Sequence, residues 1–314
     1  MQKDNKRPYN DYGNWIKKRL GYKVQKISVD AGFSCPNRDG SIGKGGCIYC
    51  NNATFNPAYC SETAGRMSQE EALLLETENI RLQIERGKEF FSRKYPDMKY
   101  IAYFQSYTNT YASTDRLQSL YEAAIDVEDV VGISIATRPD CVSAELLDYL
   151  ELLSRRTFLT MEYGVESLND ETLKIINRGH DSTCAINIIK DTHARGITTC
   201  MHLILGLPDE DEDEILRQVD IVNSLPIDIL KLHQLQITRG TLLEKDISLQ
   251  RRCTLFTPEQ YVRLIGKYLK KLRPEIVLER FTSQSPSELL IAPRWGLKNY
   301  EFTHLLERYL SEQA

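Results

Sequence analysis

The stretch that decides the fold is CPNRDGSIGKGGCIYC, residues 35–50, which holds three cysteines and four glycines and few apolar side chains. Cys35, Cys47 and Cys50 are separated by eleven and then by two residues. The glycines between them let the backbone wrap closely around a bound object, because glycine has no side chain to obstruct it. We therefore predict that this stretch is a ligand-binding loop.

The cysteine spacing leaves two metal sites open. A structural zinc site normally has four ligands in two close pairs, whereas this loop has one close pair and no histidine precedes His180. Cys60 is the further thiolate that would complete a four-cysteine zinc site. An iron-sulfur cluster held by three cysteines would instead leave one iron open to a cofactor or substrate. The missing fourth ligand favours the cluster, and the absence of a Gly-Lys-Ser/Thr ending argues against a phosphate-binding loop.

Composition places the chain among ordinary globular proteins. Its 314 residues suffice for one large domain or two modest ones, and 41% of them are apolar and 27% charged. With 40 Lys and Arg against 44 Asp and Glu, the net charge of −4 provides no overall field for nucleic acid. RNA binding would therefore need a local basic patch, such as KKRLGYK (17–23) or Arg251 with Arg252.

The chain has no apolar run of the roughly 20 residues that a membrane helix requires. Its first residues, MQKDNKRPYNDYGNW, lack the apolar centre of a signal peptide. We therefore expect a cytoplasmic protein without membrane contact. The eight cysteines are then expected to be thiols or metal ligands, because the cytosol keeps thiols reduced.

Short β-rich runs alternate with helical patterns, as in a parallel sheet built from βα units. Helices are predicted from Ser68 onward, after the N-cap Ser143 and at the acidic run 209–214. The tail has a helical pattern at 257–272, a strand at 276–281 and a last helix from Tyr300. The six predicted core strands are 24–30, 99–105, 130–137, 157–165, 198–206 and 228–237.

These elements predict a division into an N-terminal segment (1–24), a core (25–245) and a C-terminal extension packed on the core (246–314). The fold class is α/β. We find no internal repeat or low-complexity linker in the sequence.

Seven sequence stretches, in order, resemble one known group, the radical S-adenosylmethionine (radical SAM) enzymes, and within it the YhcC/YtqA-type family. This family is related to the elongator catalytic subunit and to oxygen-independent coproporphyrinogen dehydrogenase. The extended C-x11-C-x2-C spacing resembles the form used by this family rather than the C-x3-C-x2-C of most radical SAM enzymes. The stretches are CPNRDGSIGKGGCIYCNN, YFQSYTNTYA, GISIATRPDC, EYGVESLNDETLKIINRGH, HLILGLPDE, KLHQLQITRGT and LIAPRW.

The resemblance implies a partial (β/α)6 TIM-like barrel with a small C-terminal extension. It also implies a [4Fe-4S] cluster on Cys35, Cys47 and Cys50, with S-adenosylmethionine chelating the open iron. Reductive cleavage of that cofactor would produce a deoxyadenosyl radical that abstracts a hydrogen from the substrate. The electron donor would be a protein such as flavodoxin or ferredoxin.

The resemblance also assigns cofactor contacts in the first half of the chain. Tyr49 lies where relatives place an aromatic side chain near the adenine. Thr108 and Asn109 follow the second strand, where relatives bind the methionine amine. Thr137 and Arg138 end the third strand, at the edge on which parallel sheets bind ligands.

Further contacts are implied in the second half. Arg178 would pair with the methionine carboxylate, and Glu166 would contact the ribose, with an ordinary ion pair as the alternative for each. Glu162 is expected to face the same pocket, because it lies on the same side of its strand as Glu166. Leu205 and Gly206 would let the backbone approach the adenine.

Lys231, His233 and His202 alternate with apolar residues on neighbouring strands, so we expect them to line the barrel and to act on the substrate. The alternative is that these histidines are structural. By resemblance the substrate is a tRNA base, with remodelling of the 5-substituent of wobble uridine. The alternatives are a small metabolite or porphyrin-like substrate, or a non-catalytic zinc-binding interaction protein. The sequence does not indicate an oligomeric state.

Overall fold

The computed structural model describes residues 7–51, 69–93 and 97–313. Seven strands form one parallel sheet whose spatial order follows the chain, which confirms the predicted α/β partial barrel and its six core strands. A small antiparallel pair, β7 (Ile237–Thr238) and β9 (Leu290–Ala292), lies apart from it. The strands of the sheet are β1 (Val24–Val29), β2 (Lys99–Phe104), β3 (Val130–Thr137), β4 (Phe158–Glu166), β5 (Thr198–Leu205), β6 (Ile229–Gln234) and β8 (Val277–Arg280).

Helices connect successive strands and bury their apolar sides against the sheet. Within the described ranges, no helix is both long and apolar enough to cross a bilayer. The helices are α1 (Tyr12–Leu20), α2 (Pro36–Asp39), α3 (Gln69–Ser92), α4 (Thr114–Ile125), α5 (Ala144–Ser154), α6 (Asp170–Ile175), α7 (Ser182–Ala194), α8 (Glu212–Ser224), α9 (Leu242–Lys245), α10 (Ile247–Gln250), α11 (Pro258–Lys271) and α12 (Asn299–Glu312).

Local sequence sets where these helices begin. The Ser143 hydroxyl accepts a hydrogen bond from the Leu146 amide at 3.1 Å, as predicted for the start of α5. Asp211, inside the acidic run, caps α8 by accepting from the Glu214 amide at 2.8 Å. Each such cap contributes about 1 kcal/mol and satisfies an amide that the helix leaves unpaired.

Helix α1 closes the amino-terminal end of the barrel. Tyr12 and Trp15 pack on a small cluster formed by Cys200, Ile229 and Val277, the last two being the first residues of their strands. The opposite end, where the strands finish, is therefore the open one.

The C-terminal extension contributes a strand to the main sheet. Strand β8 pairs in parallel with β6, and the Leu278 amide also donates to the Asn10 carbonyl at 2.7 Å. The predicted strand at 276–281 thus completes the barrel wall, and the extension packs on the core as part of the same sheet.

Candidate active site

A cavity of about 430 Å³ opens at the carboxyl ends of the strands. Gln105, Arg138, Glu166 and Gln234, which end or follow β2, β3, β4 and β6, contribute to its wall. This is the edge on which barrels of parallel strands bind ligands. The cavity therefore lies at the end of the barrel where active sites are found in folds of this type.

The three cysteines of the opening stretch all line this cavity. Cys47 is buried, and Cys35 and Cys50 are partly exposed. Cys35 immediately precedes the single turn of α2, which reverses the chain so that Cys47 and Cys50 return to the same wall. Burial and the neighbouring Cys47 thiol raise the pKa of Cys50 to about 11. Cys60 lies outside the described residues.

Two residues that sequence reasoning missed hold the loop together. Arg38 Nη2 donates to the Cys50 carbonyl at 2.6 Å. Asn37 Nδ2 donates to the Asn177 carbonyl at 2.5 Å and lies 3.6 Å from Cys47 Sγ. Their only signal in the sequence is their position inside the loop.

The loop glycines also make room for these two side chains. A Cβ on Gly43 would overlap Asn37 Oδ1. Gly46 has φ +81°, and a Cβ there would lie 2.9 Å from Arg38 Nε. The glycines were predicted to let the backbone wrap around a ligand. In part, they let it pass close to the polar side chains of the loop itself.

Arg178 joins the cysteine loop to the end of β4. Its Nη1 donates to Cys47 Sγ at 3.5 Å, and its Nη2 donates to the Gly164 carbonyl. Nη2 is also 3.7 Å from Glu166 Oε1, so the alternative ion pair between Arg178 and Glu166 is present. Burial alone would lower the pKa of Arg178, but the nearby Cys47, Tyr49 and Glu166 raise it well above its usual value.

Backbone strain accompanies this part of the site. Glu166 lies at a register shift between β4 and β5 and has φ +72°, and Tyr107 has φ +63°. Both residues line the cavity. Left-handed backbone at residues other than glycine costs about 1–3 kcal/mol each and concentrates at functional sites.

Thr108 and Asn109 have different surroundings. Thr108 lines the cavity, and its buried hydroxyl has no hydrogen-bond partner among the described residues. Asn109 lies behind the wall, where its Nδ2 donates to the carbonyls of Phe104 and Ala136 at 3.1 and 2.7 Å. Asn109 therefore fastens the loop after β2 to the end of β3.

Thr137 and Arg138 both line the cavity. Thr137 Oγ1 is 2.5 Å from Thr110 Oγ1. Arg138 makes a two-point ion pair with Asp140, with both nitrogen-oxygen distances at 2.8 Å, and donates from Nη2 to the Arg178 carbonyl at 2.7 Å. Arg138 thus supports the segment that carries Arg178.

Leu205 and Gly206 do not contribute to the cavity wall, whereas Ile204 does. Leu205 belongs to the apolar core. Gly206 has φ +97°, and a Cβ there would overlap the Thr254 carbonyl. The structure thus brings the segment after α10 against Gly206.

A layer of four charges, which we call the buried charge layer, lies beneath the cavity floor, with Glu162 and Lys231 buried and Lys26 and Glu279 slightly exposed. Lys26 Nζ contacts Glu162 Oε1 at 2.7 Å and Glu279 Oε1 at 2.6 Å. Lys231 Nζ contacts Glu162 Oε2 at 2.6 Å and Glu279 Oε1 at 3.1 Å. Burial would raise the pKa of Glu162, but Lys231 and Lys26 hold it well below its usual value. Two positive and two negative charges therefore balance in the interior.

Three further side chains contact the carboxylate of Glu162. Ser134 Oγ donates to Oε1 at 2.5 Å, Tyr103 OH donates to Oε2 at 2.9 Å, and His202 Nε2 is 2.9 Å from Oε2. Glu162 and Lys231, assigned from the sequence to the cofactor and the substrate, do not line the cavity; Tyr103 and His202 do. Lys26 and Glu279 were not anticipated as members of this layer.

His202 and His233 form part of the cavity floor, with ring centroids 5.6 Å apart. His233 Nδ1 is 2.5 Å from Ser283 Oγ, and its Nε2 is buried without a partner among the described residues. Burial is the main cause that lowers the pKa of each histidine. The floor therefore presents neutral imidazoles at neutral pH.

The cavity wall has several buried polar atoms without partners in the described part of the chain. Leaving such an atom unpaired costs about 1–3 kcal/mol, so the wall is suited to a polar ligand. Three thiols beside an aromatic ring and an arginine match an iron-sulfur cluster and a cofactor that carries both a carboxylate and a heterocycle. These atoms are Tyr49 OH, Thr108 Oγ1, Arg138 Nη1, Arg178 Nε and His233 Nε2.

Comparison with known proteins shows the family of this chain. Residues 40–220 match the model of the Radical SAM superfamily, and residues 227–312 match the Radical_SAM C-terminal domain. The chain belongs to the radical SAM superfamily. Membership carries the cofactors of the superfamily with it, S-adenosylmethionine and a [4Fe-4S] cluster.

Similar radical SAM proteins confirm the predicted YhcC/YtqA-type family. YtqA of Bacillus subtilis is 34% identical over 306 residues, covering 98% of this chain and 90% of YtqA. YhcC of Escherichia coli K12 is 34% identical over 306 residues, covering 97% of this chain and 93% of YhcC. A tRNA uridine(34) acetyltransferase of Methanocaldococcus infernus is 25% identical over 192 residues, covering 59% of this chain and 34% of the relative.

The radical SAM fold is also found in a solved structure, archaeal Methanocaldococcus infernus Elp3 with an N-terminal deletion. Its TM-score is 0.63 at 15% identity, and the alignment covers 92% of this chain and 63% of Elp3. At this identity the likeness concerns the fold alone.

Proposed function

We propose that this radical SAM enzyme binds its [4Fe-4S] cluster through Cys35, Cys47 and Cys50 and acts on a base of tRNA, at the 5-substituent of wobble uridine. The observation that carries the proposal is that the three cysteines share one cavity wall with Tyr49 and Arg178. When bound, the reduced cluster and S-adenosylmethionine supply a deoxyadenosyl radical that takes a hydrogen atom from the substrate.

Arg178 is the group best suited to hold the methionine carboxylate. Its guanidinium is fixed by Cys47 and by the Gly164 carbonyl, so little side-chain entropy is lost when the cofactor binds. Its buried Nε has no partner in the described structure, which leaves a donor for an incoming oxygen. Glu166 supplies the acceptor proposed for the ribose hydroxyls.

Tyr49 would form the adenine contact. The ring lines the cavity between two of the cysteines and packs beside the apolar cluster that contains Ile48 and Leu235. A flat apolar face next to an unpaired hydroxyl suits a purine, which combines a ring surface with hydrogen-bonding edges.

The tRNA substrate is supported by the relative that bears the name tRNA uridine(34) acetyltransferase. The exposed Arg251 and Arg252 lie on the same edge as the cavity, because the Arg252 carbonyl accepts from the amide of Asp209, which follows β5. The other basic group, 17–23, overlaps α1 at the closed end of the barrel. Arg251 and Arg252 are therefore the basic residues proposed to contact RNA phosphates.

An electron donor is required for reductive cleavage, and we propose a small redox protein such as flavodoxin or ferredoxin.

Anaerobic purification should yield iron and acid-labile sulfide, and the reduced protein should convert S-adenosylmethionine to 5′-deoxyadenosine. Zinc without iron would reject the cluster.

The substrate is tested by comparing tRNA nucleosides from cells with and without the gene. We expect a changed wobble uridine, and unchanged tRNA nucleosides would reject the RNA substrate. Binding of purified tRNA should weaken steeply with salt, and more so for wild type than for Arg251→Glu, because each phosphate contact releases counterions. Lys18→Glu is the matched control at the closed end of the barrel.

A further inference from the structure

An irregularity in β8 aims an arginine into the cavity. Leu278 packs in the outer core, and Glu279 reaches inward to Lys231. Simple alternation would then turn Arg280 outward. The pairing with β6 skips a residue, however, since Leu230 is opposite Leu278 while Lys231 is opposite Arg280. This bulge allows two successive side chains to face the interior, and Arg280 lines the cavity.

Arg280 differs from the other arginines of the cavity wall in having no partner among the described residues. Arg38 donates to the Cys50 carbonyl, Arg138 is paired with Asp140, and Arg178 is engaged by Cys47. The guanidinium of Arg280 makes no ion pair or hydrogen bond within the described ranges. A partly buried arginine without a counter-charge is costly in the absence of a ligand.

Within the described residues, no carboxylate forms an ion pair with Arg280. Glu279 uses Oε1 for both Lys26 and Lys231, and its Oε2 has no hydrogen-bond partner in the described residues. Glu166 is the one acidic side chain in the described cavity wall, and it lies beside Arg178. The floor near Arg280 is therefore positively charged.

A second donor lies on the same floor. His233 Nδ1 is engaged by Ser283, while its Nε2 is buried and unpaired within the described part of the chain. Lys231 lies two residues before His233 on β6 and is opposite Arg280 in the strand pairing. An oxyanion at this place would receive hydrogen bonds from a planar guanidinium and an imidazole, a combination suited to two-point binding.

We propose that Arg280 and His233 form an anion subsite on the cavity floor, which binds an oxyanion of the substrate, either a carboxylate or a phosphate. The inference rests on the proposed function in that it takes the cavity as the substrate site. The bulge at Glu279 is the structural device that creates the subsite, because it places Arg280 inside the barrel.

The test uses protein with its cluster reconstituted anaerobically and with S-adenosylmethionine present, so that the site at Arg178 is filled. Inorganic phosphate and acetate are titrated separately by calorimetry into wild type and Arg280→Gln. We expect roughly tenfold weaker binding or more for Arg280→Gln, the usual loss for a charged hydrogen bond. Arg263→Gln, at an exposed arginine on α11, is the matched control and should bind as wild type does.

Equal affinity in wild type and Arg280→Gln, or no anion binding to wild type, would overturn the subsite. Tighter binding of phosphate than of acetate assigns the anion to a phosphate, and the reverse assigns it to a carboxylate. Arg280→Lys keeps the positive charge and should retain part of the anion affinity. This second variant tests the subsite even if Arg280→Gln does not fold. Because the titration needs no turnover, a failure to modify tRNA would reject the proposed substrate without affecting this result.

Discussion

Arg178 Nη1 lies 3.5 Å from Cys47 Sγ, although 131 residues separate the two in the chain. The contact ties the segment after β4 to the cysteine loop after β1. An arginine at this distance stabilises negative charge on a sulfur, and the buried Nε of Arg178 has no hydrogen-bond partner among the described residues. We therefore expect one side chain to serve both Cys47, the proposed cluster ligand, and the cofactor carboxylate.

Replacing Arg178 should separate these two tasks. We expect Arg178→Ala to weaken S-adenosylmethionine binding by roughly tenfold or more, because a charged hydrogen bond to the carboxylate is lost. Iron content should stay near that of wild type, since the cysteines remain. Equilibrium dialysis with anaerobic protein measures the affinity, and Arg195→Ala on the outer surface is the control. An unchanged affinity would remove Arg178 from the cofactor site.

The cluster ligands are tested one at a time. Cys35→Ser, Cys47→Ser and Cys50→Ser should each lose most of the iron and acid-labile sulfide, because a cluster with three protein ligands has none to spare. Cys253→Ser, outside the cavity wall, should keep both. A triple variant that still held a full complement of iron would show that the ligands lie elsewhere.

Acid should destabilise the protein through the buried charge layer. The pKa of Glu162 is held well below its usual value of 4.5, so its ion pairs stabilise the fold above that pH and are lost as pH falls through the lowered value. Glu162→Gln should lower the free energy of unfolding by about 3–5 kcal/mol at neutral pH, because Lys26 and Lys231 lose a counter-charge. The further decrease on acidification should then be smaller than in wild type.

Urea unfolding at a series of pH values measures both effects. Glu171→Gln is the matched control, because Glu171 forms an exposed ion pair with Lys174, and it should change stability little at any pH. The same acid dependence in Glu162→Gln as in wild type would show that other groups cause the transition.

Gly206 tests the close approach of the C-terminal segment. Gly206→Ala should lower the free energy of unfolding by about 3 kcal/mol or more, because the new methyl group meets the Thr254 carbonyl and the residue keeps φ +97°. Gly196→Ala, at φ +73° in open space, should cost about 1 kcal/mol from backbone strain alone. Equal losses would mean that the Thr254 segment moves aside freely.

The sequence was sufficient for features with a local cause. Alternating runs located the six core strands, and Ser143 and the acidic run located two helix starts, because strand patterning and capping act over a few residues. The ion pair between Lys26 and Glu279 was not predictable in this way, since 253 residues separate the partners and the curvature of the sheet brings them together. Arg280 was missed because a bulge cannot be read from alternation.

The same limit applies to Glu162 and Lys231. The strand pattern indicated that both point into the barrel, but it could not give their depth. Depth depends on the stagger between neighbouring strands and on α1, which fills the closed end beneath them. The structure accordingly places both below the cavity, and leaves Tyr103 and His202 at its floor.

The buried charge layer draws its members from both halves of the chain, Lys26 from β1 and Glu279 from β8. A chain cut after residue 245 would enclose two ammonium groups with a single carboxylate, and β6 would have an open edge. We therefore expect the core and its extension to unfold together. Because Lys26, Glu162 and Lys231 precede Glu279 in the chain, the four charges balance only after β8 has been synthesised and has paired with β6.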